Sequence, residues 1–315
     1  FAFITIREQS AVVAVQRFEI IESTAAVKPV QRFRCSDDDL NQIWDACERT
    51  LKMGMEDTFT DCSLYEQTLW IGDARNQALY AAHVYGQYAV SARSLELGAQ
   101  SLEIFPMVGC QVPSTWDCLI PAWSFLWGMH VWEHYFITAD ETVLRQLWPA
   151  VVQNMDGALD YLNAEGLFSA KLWNLLEWAP IDQEQATVLH NSILLVAALR
   201  AAENCAEVLG EPSVQQRFAT ARVKLTSAIN VTWDDARGSY PDAILEDGTP
   251  SPKVCQHNSA LSLIADILAE EQVEVARRNL LHPPKDMVQI GSPFAAQFLF
   301  EAFELLNEPQ AILDN

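Results

Sequence analysis

Glu66, Trp70 and Asp73 stand four and three residues apart in the segment TDCSLYEQTLWIGDAR, residues 60–75. If that segment is helical, positions i, i+4 and i+7 share one face. A carboxyl group beside an indole in a concave site has the ingredients of a general acid. Apolar surroundings raise a carboxyl's pKa, and the aromatic face can stack on a sugar ring. Asp61, just before the turn, could join the same site. The same letters also have a plainer meaning. Ser63-Leu64-Tyr65-Glu66 is a capping box, in which Glu66 closes a helix N-terminus, and Asp73 is then an ordinary surface charge. Spacing alone leaves both open.

The elements that must position these groups are helical. From Ser36-Asp37-Asp38-Asp39, an N-cap pattern, the period becomes that of a helix, with Leu40, Ile43, Trp44, Cys47 and Leu51 on one face. Ten helices are expected, near 38–55, 73–86, 88–103, 119–137, 141–164, 184–209, 213–232, 256–269, 271–281 and 293–306. Turn and cap residues at Thr138-Ala139-Asp140-Glu141, Gly210-Glu211-Pro212-Ser213 and Gly291-Ser292-Pro293 suit antiparallel hairpins. Stretches 119–137 and 186–201 are apolar nearly all round, as the inner ring of a double-layered toroid must be. Three longer connections, about 104–118, 166–183 and 233–255, are rich in Trp, Pro, Asp and Gly, and long loops in a helical domain tend to carry function. Trp116-Asp117 in the first is an open candidate for the rim of a cleft.

Residues 1–34 differ. Phe3 to Ile6, Ala11 to Val15 and Arg17 to Ile21 are β-branched runs of strand length. Three short strands cannot bury both faces, so they read as the tail of a β-sandwich whose other strands lie upstream. The expected domains are therefore 1–34, terminal strands and linker, and 35–315, an all-α toroid of helical hairpins.

Composition narrows the partners. Twenty Lys and Arg against forty-two Asp and Glu give a formal charge of −22, which repels phosphate backbones and anionic lipid surfaces. Nucleic acid and membrane are thus not expected partners. Apolar stretches are interrupted by His83, Glu133, His134 or Arg200 before reaching membrane-spanning length. The seven cysteines include no CxxC pair and favour neither a disulfide framework nor a zinc cluster. Buried thiols in a reducing, cytoplasmic setting are expected, although the opening FAFITIREQS shows neither an initiator methionine nor a signal peptide. His83, His130, His134, His190 and His257 lack the paired spacing of a metal site and read as hydrogen-bonding groups. Trp44, Trp148 and Trp233 read as packing, and Glu301 and Glu304 as surface or inter-helix charges. With no Gly-rich phosphate loop either, no metal and no cofactor is expected.

The segment DCSLYEQTLWIGDARN is similar to the signature of glycoside hydrolase family 78, the bacterial α-L-rhamnosidases, which runs Asp-Cys-Pro, a few residues, Glu, then Gly-Trp-x-Gly-Asp. Asp61, Cys62, Glu66, Trp70, Gly72 and Asp73 match it, while Ser63, Tyr65, Leu69 and Ile71 depart from forms common in the family. RFRCSDDDLNQIWDACERTL resembles the first barrel helix. PAWSFLWGMHVWEHYFITAD resembles a barrel helix whose sugar-binding tryptophan is matched by Trp123, with Phe125 where many members carry aspartate. WNLLEWAPID resembles an Asp-Trp loop, with Glu177 in place of the aspartate and Trp178 kept. CQHNSALSLIADIL and GSPFAAQFLFEAFELL resemble late helices.

The resemblance implies an (α/α)6 barrel of twelve helices with the site at the mouth of its inner ring. Glu66 is then the general acid, protonating the oxygen that leaves an α-L-rhamnosyl unit. Asp61 and Asp73 hold sugar hydroxyls, and Trp70, Trp123 and Trp178 pack on the ring and its C6 methyl. Glu177 fits a hydroxyl ligand or a loop-ordering acceptor better than a base. An inverting enzyme needs a second carboxylate roughly 6.5–9.5 Å from the acid. In the family it is a glutamate within a stretch like Thr-Thr-x-Trp-Glu after the late helix, and no such stretch occurs before Asn315. Ten helices are also two short of twelve, so the expected toroid lacks its last helices and little hydrolysis is expected of the chain by itself. Rhamnose-containing glycosides are the implied ligands. The alternatives are a carbohydrate-binding relative or fragment without catalysis, and another six-hairpin glycosidase.

Overall fold

Helix α1 (Asp38–Met53) begins where the sequence suggests, capped by Asp37, whose carboxylate accepts the N–H groups of Asp39 and Leu40 at 2.9 and 3.2 Å. In this computed structural model, residues 5, 7 and 10–314 are described. The following helices are α2 (Ile71–Tyr85), α3 (Ala89–Gln100), α4 (Pro121–Thr138), α5 (Glu141–Leu159), α6 (Leu189–Leu209), α7 (Pro212–Asn230), α8 (Gln256–Ile264), α9 (Glu270–Leu281), α10 (Pro293–Leu305) and α11 (Pro309–Leu313). All ten expected helices have counterparts. The short α11 was not expected, since one turn shows no periodicity. Proline at the first helical position opens α4, α7 and α10, where its missing N–H costs nothing, and Ser292 caps α10 through Ala295 N–H.

The expected start of the sixth helix at 184 moves to 189. Residues Thr187–Val188 (β1) instead pair antiparallel with Ala243–Ile244 (β2), which ties two long connections together. The apolar stripe of α1 also behaves differently from its pattern. Only Leu51 is buried, Ile43 is exposed, and Trp44 is half-covered beside Phe33 with ring centroids 5.7 Å apart. As an outer helix, α1 meets α2 but has no layer beyond it. The runs 11–15 and 17–21 form no ladder among the described residues, and Val12, Phe18, Ile20 and Ile21 lie exposed. β propensity makes a strand only where another backbone lies alongside, and none does here. The expected strand at 3–6 falls mostly outside the described residues.

The even-numbered helices form the inner layer: α2 packs on α4, α4 on α6, α6 on α8, α8 on α10, and α10 returns to α2. Helix α4 is buried from Pro121 to Val131 and α6 along almost its whole length, as their all-round apolar sequences require. Odd-numbered helices lie outside, each paired with a neighbour as a hairpin, giving the all-α toroid. Arg75 helps to close the ring. It is buried on α2, its Nε donates to Glu133 Oε2 of α4 at 2.9 Å, and its guanidinium approaches Glu301 of α10 at 3.8 Å. Burial disfavours the cation, but Glu133 and then Glu301 hold it charged.

Removing one member of a buried ion pair leaves the others uncompensated, at a cost of about 3–5 kcal/mol. Arg75→Ala is therefore expected to lower the urea midpoint of unfolding strongly, and Glu133→Gln less, because Glu133 is partly exposed. An unchanged midpoint in Arg75→Ala would show that this contact does not hold α2 to α4 and α10.

Candidate active site

The connections that precede α2, α4, α6, α8 and α10 meet at one end of the ring and hydrogen-bond to one another. Ile71 N–H donates to Cys110 C=O and Val112 N–H to Leu69 C=O, at 2.9 and 3.1 Å. Gln256 N–H and Val254 C=O both bond the backbone of Val288, and β1–β2 joins the connections before α6 and α8.

Residues 61–70 are not helical, so the shared helical face expected of Glu66, Trp70 and Asp73 does not exist. Neither does a capping box at Ser63–Glu66. A compact loop replaces both. Asp61 N–H donates to Thr68 C=O at 3.0 Å, while the Asp61 carboxylate accepts Thr68 N–H at 3.3 Å. Within it, Glu66 N–H donates to Cys62 Sγ at 3.2 Å, and Gln67 takes the left-handed φ of 51° that turns the chain towards α2. The loop nevertheless unites the acid and the indole, because Trp70 Nε1 donates to Glu66 Oε2 at 2.6 Å. Asp73 lies on the first turn of α2.

These groups face a cavity of about 670 Å3. Asp61, Glu66 and Asp73 supply its carboxyl groups, with Thr68 and Gln111 as neutral hydrogen-bonding groups. Trp70, Trp116, Trp123, Trp173 and Trp178 make most of the remaining wall, together with Leu175. Trp123 is almost fully buried on the first turn of α4, stacked on Phe294 at 4.9 Å between centroids. It fits there because position 72 is glycine: a Cβ at that position would lie 2.6 Å from the indole. Trp178 is the opposite, 80% exposed at the mouth. Trp116 was left open by the sequence, and Trp173, Thr68 and Gln111 were not singled out. The signal for both tryptophans was their placement on long connections rather than at helix periodicity.

Glu177 does not line the cavity. It is buried, its Oε1 accepting from His257 Nε2 and from Gly291 N–H at 3.1 Å. Burial pushes its carboxyl up, but hydrogen bonds from His257, Ser292 and Gly291 together bring it below the usual range. This contact joins the connections before α6 and α10 to the start of α8, one residue along the chain from the exposed Trp178. His190 nearby is driven down to about 3, first by burial and then by His257. His130 and His134 both bond Ser91 Oγ in the core, at 2.8 and 3.0 Å. Among the described residues no cluster of His, Cys, Asp and Glu has the makings of a metal site, and no helix is long and apolar enough to cross a membrane. A larger cavity of about 810 Å3 lies between the connections before α6 and α8, but no aromatic side chain lines it, and its Lys171 and Glu246 pair with each other in the open.

The protonation of Asp73 is strongly altered by its surroundings. Burial raises it to about 7; its own backbone N–H opposes the rise, Asp61 adds to it, the nearby Trp123 indole favours the anion slightly, and Glu66 adds again. With a folded value above the ordinary 3.8, the native state holds a proton that the unfolded chain has lost. The stability this provides is fully present below pH 3.8 and is lost as pH rises through about 7. Melting temperatures measured across that window should therefore fall less in Asp73→Asn than in the parent. Parallel curves would mean that Asp73 titrates normally.

Comparison with known proteins places this geometry. The family model described as the bacterial alpha-L-rhamnosidase six-hairpin glycosidase domain matches residues 28–304. Among solved structures, a glycoside hydrolase family 78 rhamnosidase of Bacillus sp. GL1 superposes with a TM-score of 0.90 at 36% identity, covering 92% of this chain and 31% of that one. A rhamnosidase from Klebsiella oxytoca with rhamnose bound gives 0.79 at 21% identity, over 92% of this chain and 56% of that one. An α-L-rhamnosidase from Aspergillus terreus gives 0.74 at 15% identity, over 92% and 34%. The last two establish the fold alone. The chain thus spans about a third of the length of the Bacillus relative, and no curated protein matches it significantly. On the strength of the family model, the chain belongs to the bacterial α-L-rhamnosidase six-hairpin glycosidase family.

Proposed function

We propose that the protein hydrolyses terminal α-L-rhamnosyl residues from rhamnosides with inversion, and that Glu66 is the proton donor. The observation that carries this reading is the hydrogen bond from Trp70 Nε1 to Glu66 Oε2 at the edge of an indole-walled cavity. A carboxyl held through one oxygen keeps its other oxygen free to carry a proton to the glycosidic oxygen. Asp61 and Asp73 take sugar hydroxyls, each oxygen accepting or, where protonated, donating. They stand on the same segment as Glu66, whereas inversion activates water from the opposite face, so neither is assigned as the base. Trp123 beside Asp73 gives an apolar floor suited to the C6 methyl of a 6-deoxy sugar, and Trp178 covers the mouth. Glu177, which does not line the cavity, acts by ordering the connection that carries Trp178. Rhamnose-containing glycosides are the proposed partners. A cytoplasmic location is proposed from the seven free cysteines, four of them buried.

General acid catalysis contributes about 10²–10⁴-fold, and most where the leaving group is poor. In the protein expressed from its whole gene, Glu66→Gln should lose about that factor in kcat on an alkyl α-L-rhamnoside and far less on a nitrophenyl one. Asp73→Asn should slow both alike. Equal losses from Glu66→Gln on the two substrates would remove the proton-donor assignment. Calorimetric binding of L-rhamnose without turnover of either substrate would favour a carbohydrate-binding protein instead.

A further inference from the structure

Between Trp173 and Leu175, both in the cavity wall, stands an asparagine that does not line the cavity. Asn174 is 1% exposed. Its Nδ2 donates to the carbonyls of Ala170 and Gln185 at 3.0 and 2.8 Å, and its Oδ1 accepts from Asn191 Nδ2 at 2.9 Å. The Asn174 backbone carbonyl accepts from His190 Nε2 at 3.2 Å. A carbonyl can only accept, so the neutral His190 ring carries its proton on Nε2. These partners account for the shape of the connection before α6. Ala170 and Gln185 stand on its two legs, which meet again where Ala170 N–H donates to Ala186 C=O at 2.9 Å. Asn174 bridges the legs from inside, as in other compact loops packed by their own side chains, and His190 and Asn191 dock it on the first turn of α6. Leu176 is tied as well, its N–H donating to Gln183 Oε1 at 2.9 Å. The strap therefore alternates, with Trp173 and Leu175 lining the cavity and Asn174 and Leu176 buried outside its lining. Trp173 in turn meets Trp70 edge-on at 6.3 Å between centroids, and Trp70 is the indole that donates to Glu66. An apolar side chain at 174 would fill the space but leave two backbone carbonyls and the Asn191 amide unpaired in the interior.

We propose that Asn174 is a positioning residue for the reaction: by bridging the two legs of this connection and docking them on α6, it sets Trp173 against Trp70 and so fixes the wall that faces Glu66. It acts through Trp173 and touches no substrate. The proposal rests on the rhamnosidase reading and adds to it a residue outside the cavity lining. Packing alone would be served by any side chain that fills the space, whereas two donors and an acceptor on so short a stem are what the two legs and α6 together require. A misplacement of about 1 Å in the groups that hold a substrate can cost about a hundredfold in rate, which gives a buried amide this leverage.

The test is a double-mutant cycle in the protein expressed from its whole gene, read as kcat/KM on methyl α-L-rhamnoside. Asn174→Ala should lower it about ten- to a hundredfold. Trp173→Ala should lower it too, and the double variant should fall no further than about twofold below the poorer single one, because one residue works through the other. Asn191→Ala removes only the bond to Asn174 Oδ1 and should cost about two- to fivefold, with no further loss in the Trp173→Ala background. That second cycle decides the matter if Asn174→Ala does not fold. Hydrogen exchange read by mass spectrometry should show the amides of residues 173–178 exchanging faster in Asn174→Ala and Asn191→Ala, with those of α4 unchanged. Losses that multiply in the double variants would overturn the positioning role, and so would faster exchange in the strap with kcat/KM kept within about twofold of the parent. If the parent neither binds nor cleaves the methyl glycoside, the rhamnosidase reading itself falls and takes this proposal with it. A parent that cleaves it normally while the losses multiply overturns the proposal alone.

Discussion

Helices α4 and α6 have almost no face left for water, and that constraint decides where chemistry can occur. An inner helix covered on all sides must be apolar or pair its polar groups internally, as His130 and His134 do with Ser91, so groups free to meet a ligand are confined to its ends and to the connections that cap them. The structure places Asp73 on the first turn of α2, Trp123 on that of α4 and His257 on that of α8, all at the same end. A helix N-terminus favours an anion by about 0.3–2 kcal/mol. At Asp73 burial and two neighbouring carboxyl groups outweigh that preference, which is why the group is driven up rather than down.

The loop ends depend on one another as much as on the helices. Glu177 makes this explicit, because its one carboxylate accepts from the beginning of α8 and from the backbone just before α10 while its neighbour Trp178 stands at the mouth. An exposed indole is poorly held by packing, and here the backbone next to it is anchored by charge-assisted hydrogen bonds to the Glu177 carboxylate. Trp123 is held in the other way, by close contact above a missing Cβ at Gly72 and by stacking on Phe294.

Most of the helical frame was legible because 3.6-residue periodicity and caps are local properties. The stripe of α1 misled, since periodicity reports a face that can be covered and not whether a second layer arrives to cover it. The strand-like runs at 11–21 form no ladder among the described residues, and their expected partner strands were placed upstream of them. At the site, spacing suggested the right partnership for the wrong cause: Glu66 and Trp70 are joined by a side-chain hydrogen bond across a loop that Cys62 and Gln67 shape, not by a helical turn. Trp173 escaped notice because nothing local marks a tryptophan as facing a cavity when the opposite wall comes from residues about a hundred positions away. Glu177, expected to hold a sugar hydroxyl or to order its loop, is not among the residues lining the cavity, and its partner His257 lies 80 residues on and could be found only in three dimensions.

The closure of the ring has a consequence for biosynthesis. Asn76 on α2 bonds the carbonyl of Phe294, 218 residues later, and Arg75 waits for Glu301. Translation at about 5–20 residues per second separates the two halves of that seam by roughly ten to forty seconds. During that interval the first inner helix has its hairpin partner and α4 but no neighbour on its other flank, so an apolar strip and a guanidinium paired only with Glu133 face solvent or a chaperone. The nascent chain is thus most vulnerable to misassembly at its first inner helix, which waits longest for its contact with α10.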